Sequence, residues 1–336
     1  MPAAPIEASS PTPWDDSAVE NTPLAVEFQG EQTTLEQFLL DSRTNAFLVV
    51  KDGKLVREQY FNGNDAATQL PSYSVAKSVV SILAGQLIAE GKLSESDKFV
   101  DWFKEFKAGT DFDQITIGQL LDMSSGIAVA DNYPTGPEGW GAPIAQLYAT
   151  TDVSNFVLNH RDLYWAPGSD YEYRSIDTQL VGMVIEKIEG NNLATVAQER
   201  LWGPLGMEHD GTWNLDRDGG SGKGFCCLNI SARDYAKLGL AYLNAATGDS
   251  YAQVSEEWAK RMTTAVTTLD HGWGYGAFTW HPYPDVTMYL GLHGQFVFVH
   301  PESRTIIVKL SDNKTDALSE DTVKVFRQVL EHYSGS

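Results

Sequence analysis

The segment Ser72-Tyr73-Ser74-Val75-Ala76-Lys77-Ser78 (SYSVAKS, residues 72–78) opens the most regular helical pattern in the chain. A proline precedes it, and apolar side chains recur behind it at steps of three and four. This periodicity predicts a helix over residues 72–90. Ser72 is placed to cap the start of that helix, and Gly91 is placed to end it.

Two residues of this segment, Ser74 and Lys77, have the types and the spacing that nucleophilic catalysis needs. Residues three apart on a helix share a face, so the lysine amine lies beside the serine hydroxyl. The free N–H groups at a helix N-terminus also favour an oxyanion. A partly desolvated lysine can be neutral and accept the serine proton. A second S-x-x-K at residues 311–314 follows a predicted strand, where the spacing has no such meaning.

Runs rich in β-forming residues lie at both ends of the chain, and helical patterns lie between them. The β-rich runs are residues 47–50, 55–60, 286–290, 296–300 and 304–310. The further helical patterns are residues 115–122, 176–189, 192–201, 231–246 and 319–333. This order predicts an α+β fold in which N- and C-terminal strands form one antiparallel β-sheet flanked by helices, with a large helical insertion.

The same pattern divides the chain into three parts. Residues 1–22 are rich in Pro, Ala, Ser and acidic residues, and we expect them to form a disordered or extended arm. We expect residues 34–115 and 266–334 to form a sheet domain and residues 116–265 a mainly helical domain. The active site is expected in the cleft between these two domains.

Two later motifs place polar side chains near the ends of predicted elements. In residues 171–175 (YEYRS), Tyr173 comes just before a helix, and a tyrosine beside a lysine can act as a base or proton relay. In residues 291–296 (GLHGQF), His293 lies next to a glycine, where a histidine can bind substrate as the backbone approaches closely. Taken alone, a loop tyrosine is more often a packing residue, and His293 is as readily a structural one.

Together these motifs resemble those of the penicillin-recognising serine hydrolases, the superfamily of class C β-lactamases, D-alanyl-D-alanine carboxypeptidases and related esterases. S-x-x-K comes first, Y-x-[NS] follows about a hundred residues later, and a third motif lies on a C-terminal strand. Five segments are similar to the 6-aminohexanoate-dimer hydrolase branch and to family VIII-type esterases: residues 72–78, 120–126 (LLDMSSG), 173–177, 230–234 and 292–296. The resemblance covers roughly residues 45–330 and implies a β-lactamase/transpeptidase-like fold.

The resemblance also implies roles for individual residues. Ser74 would be the nucleophile, Lys77 its general base, and Tyr173 the residue that relays a proton to the leaving group. The backbone N–H of Ser74 and that of a strand residue near Gln295 or Phe296 would bind the oxyanion. The residues implied in substrate binding are Tyr133, Ser175, His293, Gly294, Gln295 and Phe296. The resemblance implies no cofactor and no metal.

Two departures from the β-lactamase pattern bear on the substrate. Ser175 replaces the asparagine of Y-x-N, and His293 replaces the lysine that would hold a β-lactam carboxylate. The sequence therefore predicts a serine hydrolase that cleaves small esters or linear amides through an acyl-enzyme. The candidates for an apolar acyl pocket are Trp140, Trp165, Trp213, Trp273 and Phe296. Two alternatives stay open: a β-lactamase or D-amino-acid peptidase, and a catalytically silent binding or sensor domain on the same fold.

Composition limits the partners of the 336-residue chain. Asp plus Glu number 45 against 24 Lys plus Arg, which gives a net charge of -21. Such a surface repels phosphate backbones and anionic lipids, so we expect neither nucleic acid nor membrane as a partner. The small-molecule ester or amide substrate is what the resemblance implies. Oligomeric state is left open.

The N-terminus and the cysteines limit location and cross-linking. The first residues lack the pattern of a signal peptide, which predicts a cytoplasmic protein, or a periplasmic or secreted one if a signal has been removed. The two cysteines, Cys226 and Cys227, are adjacent. Neighbouring cysteines rarely bond, so we expect no disulfide and no cysteine-based metal site.

Overall fold

Antiparallel strands from both ends of the chain form the main sheet of the protein. The computed structural model describes residues 1–132, 139, 141–248, 254–314 and 319–335. The strands are β1 (Ala3–Ile6), β2 (Ala25–Phe28), β3 (Glu31–Thr34), β4 (Thr44–Lys51), β5 (Lys54–Tyr60), β6 (Leu70–Pro71), β7 (Gly211–Asn214), β8 (Leu228–Ile230), β9 (Thr267–Thr268), β10 (Gly274–Gly276), β11 (Thr279–His281), β12 (Thr287–Gly291), β13 (Gln295–His300) and β14 (Thr305–Ser311). The main sheet has the order β5-β4-β14-β13-β12-β11-β10-β9, and β4 pairs antiparallel with β14. The predicted sharing of one antiparallel sheet by the two ends is confirmed.

Helices cover this sheet and build the part of the molecule beside it. They are α1 (Leu35–Asp41), α2 (Val75–Ala89), α3 (Phe99–Trp102), α4 (Ile117–Leu121), α5 (Pro143–Ala149), α6 (Val153–Leu158), α7 (Ser175–Glu189), α8 (Leu193–Ala197), α9 (Gly203–Leu205), α10 (Ala232–Ala246), α11 (Glu256–Met262) and α12 (Ser319–Ser334). Short 3-10 turns occur at Lys104–Phe106, Asp111–Gln114 and Asp270–Gly272, and a π-helical turn at Gln198–Trp202. In the described part of the chain, no helix combines the length and the apolar character that crossing a bilayer requires.

Successive side chains of a strand point to opposite faces of the sheet. Both faces of this sheet carry apolar side chains, and a helix packs on each. On one face α10 lies so close that a Cβ on Gly239 would be 2.9 Å from Ile306 Cγ2. On the other face the ring of Phe326 in α12 packs against Phe296 and Phe298, with centroids 5.4 and 5.6 Å apart. Helix α10 therefore packs with the sheet, although we expected residues 116–265 to form a separate helical domain.

The buried helix α2 joins the sheet to the helical part of the molecule. It contacts β12 and β13 on one side and α7 on the other, and α7 in turn contacts α3 and α4. Lys77, in the first turn of α2, contacts Ser175, the first residue of α7. The N-termini of these two helices therefore meet beside the end of β12, and this meeting point positions the site.

The first 22 residues are extended and lie against the body of the protein. Strand β1 pairs with β7 in a four-stranded sheet of order β1-β7-β8-β6. Ile6 is fully buried, and Trp14 is nearly so, with its Nε1 donating to the Arg233 carbonyl at 3.0 Å. Burial of these apolar side chains favours the extended course of the segment along the body.

Candidate active site

Ser74 lies at the start of α2, directly after a residue with a strained backbone. Tyr73 has a φ of 43°, in the left-handed region that residues with a Cβ rarely adopt. Ser72 does not cap the helix as predicted. Its hydroxyl instead donates to the Tyr73 carbonyl at 3.0 Å and accepts from Leu228 N at 3.1 Å. Ser72 therefore holds the turn that presents the Ser74 hydroxyl to the cleft.

Lys77 lies beside this hydroxyl in a desolvated position. Its Nζ is 2.8 Å from Ser74 Oγ, and the residue is only 1% exposed. Two further oxygens surround the amine, Ser175 Oγ at 3.0 Å and the Phe225 carbonyl at 3.1 Å. Burial lowers the pKa of Lys77 to about 8, although the charge of Asp131 acts in the opposite direction. At pH 7 such an amine is neutral in about a tenth of the molecules, which suits a general base.

Tyr173 is held against the same pair by aromatic packing. Its ring stacks on Trp280 with centroids 5.5 Å apart and meets Tyr275 edge-on at 5.9 Å. Lys77 Nζ lies 4.8 Å from the ring centre, and the phenol hydrogen-bonds with the Ser74 side chain. Burial, reinforced by the charge of Asp131, raises the pKa of Tyr173 well above its ordinary value. The phenol therefore keeps its proton and can donate it, which makes Lys77 the better candidate for a general base.

Ser175 connects Lys77 to an aspartate that sequence reasoning left without a role. The Ser175 backbone N–H donates to Asp131 Oδ1 at 2.8 Å, and its hydroxyl donates to Asp131 Oδ2 at 2.5 Å. Asp131 also lines the pocket. The only signal in the sequence was its place two residues before Tyr133, and this position predicts no contact with a helix that begins 44 residues later.

The pocket in front of Ser74 has a volume of about 160 Å³. Trp280, Leu290 and Leu292 give it an apolar wall, and Asp131 and Asp270 give it two carboxylates. Within the described residues, no group of three or more His, Cys, Asp or Glu side chains is placed to hold a metal ion.

Gly291 allows the end of β12 to approach the nucleophile closely. A Cβ at this position would lie 2.4 Å from the Ser72 carbonyl oxygen and 3.1 Å from Ser74 N. Leu292 follows it and lines the pocket together with Ser74. The backbone N–H groups of Ser74 and Leu292 are therefore our candidate oxyanion donors, in place of a residue near Gln295 or Phe296.

The described pocket wall includes none of His293, Gly294, Gln295 and Phe296, which are four of the six residues expected to bind substrate. His293 Nδ1 lies 2.6 Å from the Asn313 carbonyl oxygen, and its ring meets Tyr73 edge-on at 4.8 Å. Gln295 is buried and donates to the Leu292 and Ser311 carbonyls at 3.2 and 2.7 Å.

The positions of Gly294 and Phe296 are set by the turn after β12 and by the alternation of side chains along β13. Gly294 has a φ of 84° in the turn after β12, and a Cβ there would be 2.7 Å from Asn313 Nδ2. Phe296 projects onto the face of the sheet that α12 covers. Within the described residues, the side chains of His293, Gln295 and Phe296 contact the turn after β12 and the neighbouring strands and helix.

Among the predicted aromatic residues, Tyr133 and Trp140 lie outside the described residues. Trp213 is buried, with its Nε1 donating to the Lys223 and Cys226 carbonyls at 2.9 and 3.0 Å. Trp165 packs on the guanidinium of Arg174, 4.7 Å from its ring centre. Trp273 meets Trp280 edge-on, with centroids 6.3 Å apart, and it is Trp280 that lines the pocket.

Cys226 and Cys227 form a disulfide, so the expectation of unpaired cysteines was wrong. The bond closes between consecutive residues whose Cα atoms are 3.7 Å apart, and Cys227 has a φ of 72°. The pair directly follows Phe225, whose carbonyl accepts a hydrogen bond from Lys77. The disulfide therefore lies one residue from a group that holds the candidate base.

A serine–lysine pair at the start of a helix, packed on an antiparallel sheet from both chain ends, is the arrangement expected of the β-lactamase-fold serine hydrolases. Residues 35–329 match the beta-lactamase family, and the chain belongs to that family. It is 25% identical over 299 residues to the 6-aminohexanoate-dimer hydrolase of Paenarthrobacter ureafaciens, which covers 82% of this chain and 74% of that one.

Solved structures agree with this fold. A Bacillus anthracis protein, provisionally assigned as a 6-aminohexanoate-dimer hydrolase, superposes with a TM-score of 0.85 at 24% identity and covers 98% of this chain and 90% of that one. EstCE1, a hydrolase with promiscuous acyltransferase activity, superposes with a TM-score of 0.69 at 19% identity and covers 87% of this chain and 96% of that one. The predicted fold class is thereby confirmed.

Proposed function

We propose that the protein hydrolyses small esters or short linear amides through an acyl-enzyme on Ser74. The observation that carries this proposal is the distance of 2.8 Å between Lys77 Nζ and Ser74 Oγ at a buried helix N-terminus. A buried amine whose pKa is lowered to about 8 can take the serine proton near neutral pH.

The acylation step uses the groups already in place. Neutral Lys77 takes the Ser74 proton as Oγ attacks the substrate carbonyl carbon, and the N–H groups of Ser74 and Leu292 receive the oxyanion. Tyr173 gives its proton to the departing alkoxide or amine and regains one from the Lys77 ammonium. Water then attacks the acyl carbonyl, with the same two side chains accepting and returning its proton, and Ser74 is released.

Pocket size and charge support the choice of substrate. A pocket of about 160 Å³ is smaller than the roughly 300–1,000 Å³ typical of sites for drug-sized ligands. Asp131 and Asp270 line it, so a carboxylate on the substrate would meet like charge. These features favour small neutral or cationic acyl donors over β-lactams. One relative in the same family is named for hydrolysis of a short linear amide, the 6-aminohexanoate dimer.

A side-by-side assay tests the proposal. We expect turnover of p-nitrophenyl acetate or of the 6-aminohexanoate dimer to exceed that of nitrocefin, and Ser74→Ala to abolish it while the far-ultraviolet circular dichroism is unchanged. Ser96→Ala, at an exposed serine, is the matched control and should keep full activity. Full activity in Ser74→Ala would refute the assignment, and faster nitrocefin hydrolysis would favour a β-lactamase.

Covalent labelling distinguishes an active hydrolase from a catalytically silent binding domain. A fluorophosphonate reacts with an activated serine whether or not the natural substrate is known. We expect one adduct in the intact mass, mapped to Ser74 by peptide digestion. Failure to label at any pH between 6 and 10 would favour the silent domain.

A further inference from the structure

The hydrogen-bond partners of Lys77 differ in whether they can donate a hydrogen bond to the amine or can only accept one. Three oxygens surround Nζ: Ser74 Oγ at 2.8 Å, Ser175 Oγ at 3.0 Å and the Phe225 carbonyl at 3.1 Å. A carbonyl can only accept a hydrogen bond, whereas a hydroxyl can either donate or accept. The behaviour of Lys77 therefore depends on which way the Ser175 hydroxyl points.

Asp131 decides that direction. An ionised carboxylate is only an acceptor, and Asp131 Oδ2 lies 2.5 Å from Ser175 Oγ, so the Ser175 proton must point to Asp131. The second carboxylate oxygen accepts the Ser175 backbone N–H at 2.8 Å, so both oxygens of Asp131 are hydrogen-bonded to Ser175. Towards Lys77, Ser175 is then an acceptor only.

We propose that Asp131 is a positioning residue, which orients the Ser175 hydroxyl so that the lone pair of neutral Lys77 is kept for the Ser74 proton. A neutral amine has two N–H donors and one lone pair. With Ser175 and Phe225 as acceptors for the two N–H groups, the lone pair is left to face Ser74. This inference rests on the proposed function and names the residue that directs its first proton transfer.

The same arrangement also suits the amine after the proton has moved. The Lys77 ammonium has three N–H donors, and all three neighbouring oxygens can accept one. No side chain has to rotate between the two protonation states, so the step requires no reorganisation of the site. Without Asp131, the Ser175 hydroxyl could donate to the lone pair and compete with Ser74.

The charged groups near Lys77 allow the pH response to be predicted. Asp131 is linked to the amine through the Ser175 hydroxyl, and the Tyr173 ring centre lies 4.8 Å from Lys77 Nζ. Asp177 lies behind Ser175 on α7, where burial raises its pKa to about 7, and Arg174 lies beside Asp177. Asp270 lines the outer pocket. The charge of Asp131 raises the Lys77 pKa against the effect of burial, so its removal should lower that pKa further.

Asp131→Asn is the test, because an amide oxygen can still accept the Ser175 backbone N–H. With p-nitrophenyl acetate, a neutral ester, we expect the plateau of kcat to fall about ten- to a hundredfold with little change in KM. We also expect the midpoint of the pH–rate profile to move about one pH unit lower. A merely structural defect would lower the plateau and leave the midpoint where it was.

A double-mutant cycle separates this role from direct contact of Asp131 with substrate. Ser175→Ala should lower the plateau of kcat/KM by a similar factor, and Asp131→Asn added to it should lower the plateau no further than about twofold. Additive losses, an unmoved midpoint, or wild-type activity in Asp131→Asn would each overturn the inference.

Two measurements keep this test apart from that of the proposed function. Loss of turnover in Ser74→Ala depends on the function alone and not on Asp131. The pH midpoint for fluorophosphonate labelling of Ser74 reports the Lys77 lone pair without turnover, and it can be read from whatever fraction of Asp131→Asn is folded. An equal labelling midpoint in the two proteins would overturn the role of Asp131 even if ester hydrolysis is confirmed.

Discussion

Gly291→Ala tests the close approach of β12 to the nucleophile. The added Cβ would lie 2.4 Å from the Ser72 carbonyl oxygen, whereas carbon and oxygen normally approach to about 3.3 Å. The contact is therefore about 0.9 Å too short. The two atoms nearest to the added Cβ, Ser72 O and Ser74 N, both belong to the backbone and cannot rotate out of the way. The turn that carries Ser74 and the end of β12 must therefore separate by roughly that distance.

The expected loss of activity follows from the groups that separate. Misplacement of a reacting group by about 1 Å can lower the rate about a hundredfold, and loss of one oxyanion donor lowers it about a hundred- to a thousandfold. We expect kcat/KM for p-nitrophenyl acetate to fall about a hundredfold. Most of the loss should be in kcat, because the oxyanion contact strengthens in the transition state.

The assay needs a matched control and a folding check. Gly203→Ala adds the same methyl group at a position where a Cβ would meet no atom within 4 Å, and its activity should equal that of the wild type. Thermal unfolding of both variants shows whether the Gly291 change acts through stability. If Gly291→Ala keeps activity within about threefold of wild type, Leu292, directly after β12, does not supply an oxyanion donor.

Further predictions concern proton transfer, stability and redox state. Ester turnover should rise with pH through a midpoint near 8 as Lys77 loses its proton, and then stay level to about pH 10, because burial raises the pKa of Tyr173; a decline before pH 9 would contradict this. Tyr173→Phe should lower kcat/KM at least about a hundredfold without moving that midpoint. Burial lowers the pKa of Lys309 to about 7, so the unfolded chain binds one more proton than the folded chain between about pH 7 and 10.5, and stability should rise with pH across that window. Lys309→Met should lower the slope of the unfolding free energy against pH by about 1.4 kcal/mol per pH unit in that window. Equal slopes for the two proteins, measured by urea unfolding, would refute the lowered pKa of Lys309. Reduction of the Cys226–Cys227 disulfide by a dithiol should shift the carbonyl that holds Lys77 and lower turnover by up to about tenfold, reversibly; unchanged turnover with both thiols alkylated would count against this.

The placement of Ser74 beside Lys77 could be predicted because it depends on local geometry. A helix start after a proline and a spacing of three residues bring the two side chains to one face whatever the rest of the fold does. No such local rule predicts the contact of Ser175 with Asp131. It joins a loop to a helix start 44 residues later, and only the tertiary structure brings them together.

The choice of strand beside Ser74 shows a second limit. Gly291 and Gln295 are cross-strand partners in β12 and β13, so either strand end was compatible with the motif in residues 291–296. Which one meets the nucleophile is decided by how α2 packs on the sheet. At Gly291 the approach is so close that a Cβ would lie 2.4 Å from the Ser72 carbonyl oxygen. Alternation along β13 sends Phe296 to the opposite face, against α12.

The replacement of asparagine by Ser175 in the Y-x-[NS] motif has a physical consequence for the whole family. An asparagine can present its side-chain carbonyl oxygen to the lysine, and in that orientation the oxygen can only accept a hydrogen bond. A serine hydroxyl can donate or accept, so it needs a second group to fix its direction, and here Asp131 Oδ2 at 2.5 Å does so. We therefore expect family members with serine in this motif to carry an acidic residue at the position of Asp131, and members with asparagine to lack one. A comparison of aligned sequences tests this, and an acidic residue found equally often in both groups would show that the hydroxyl needs no such partner.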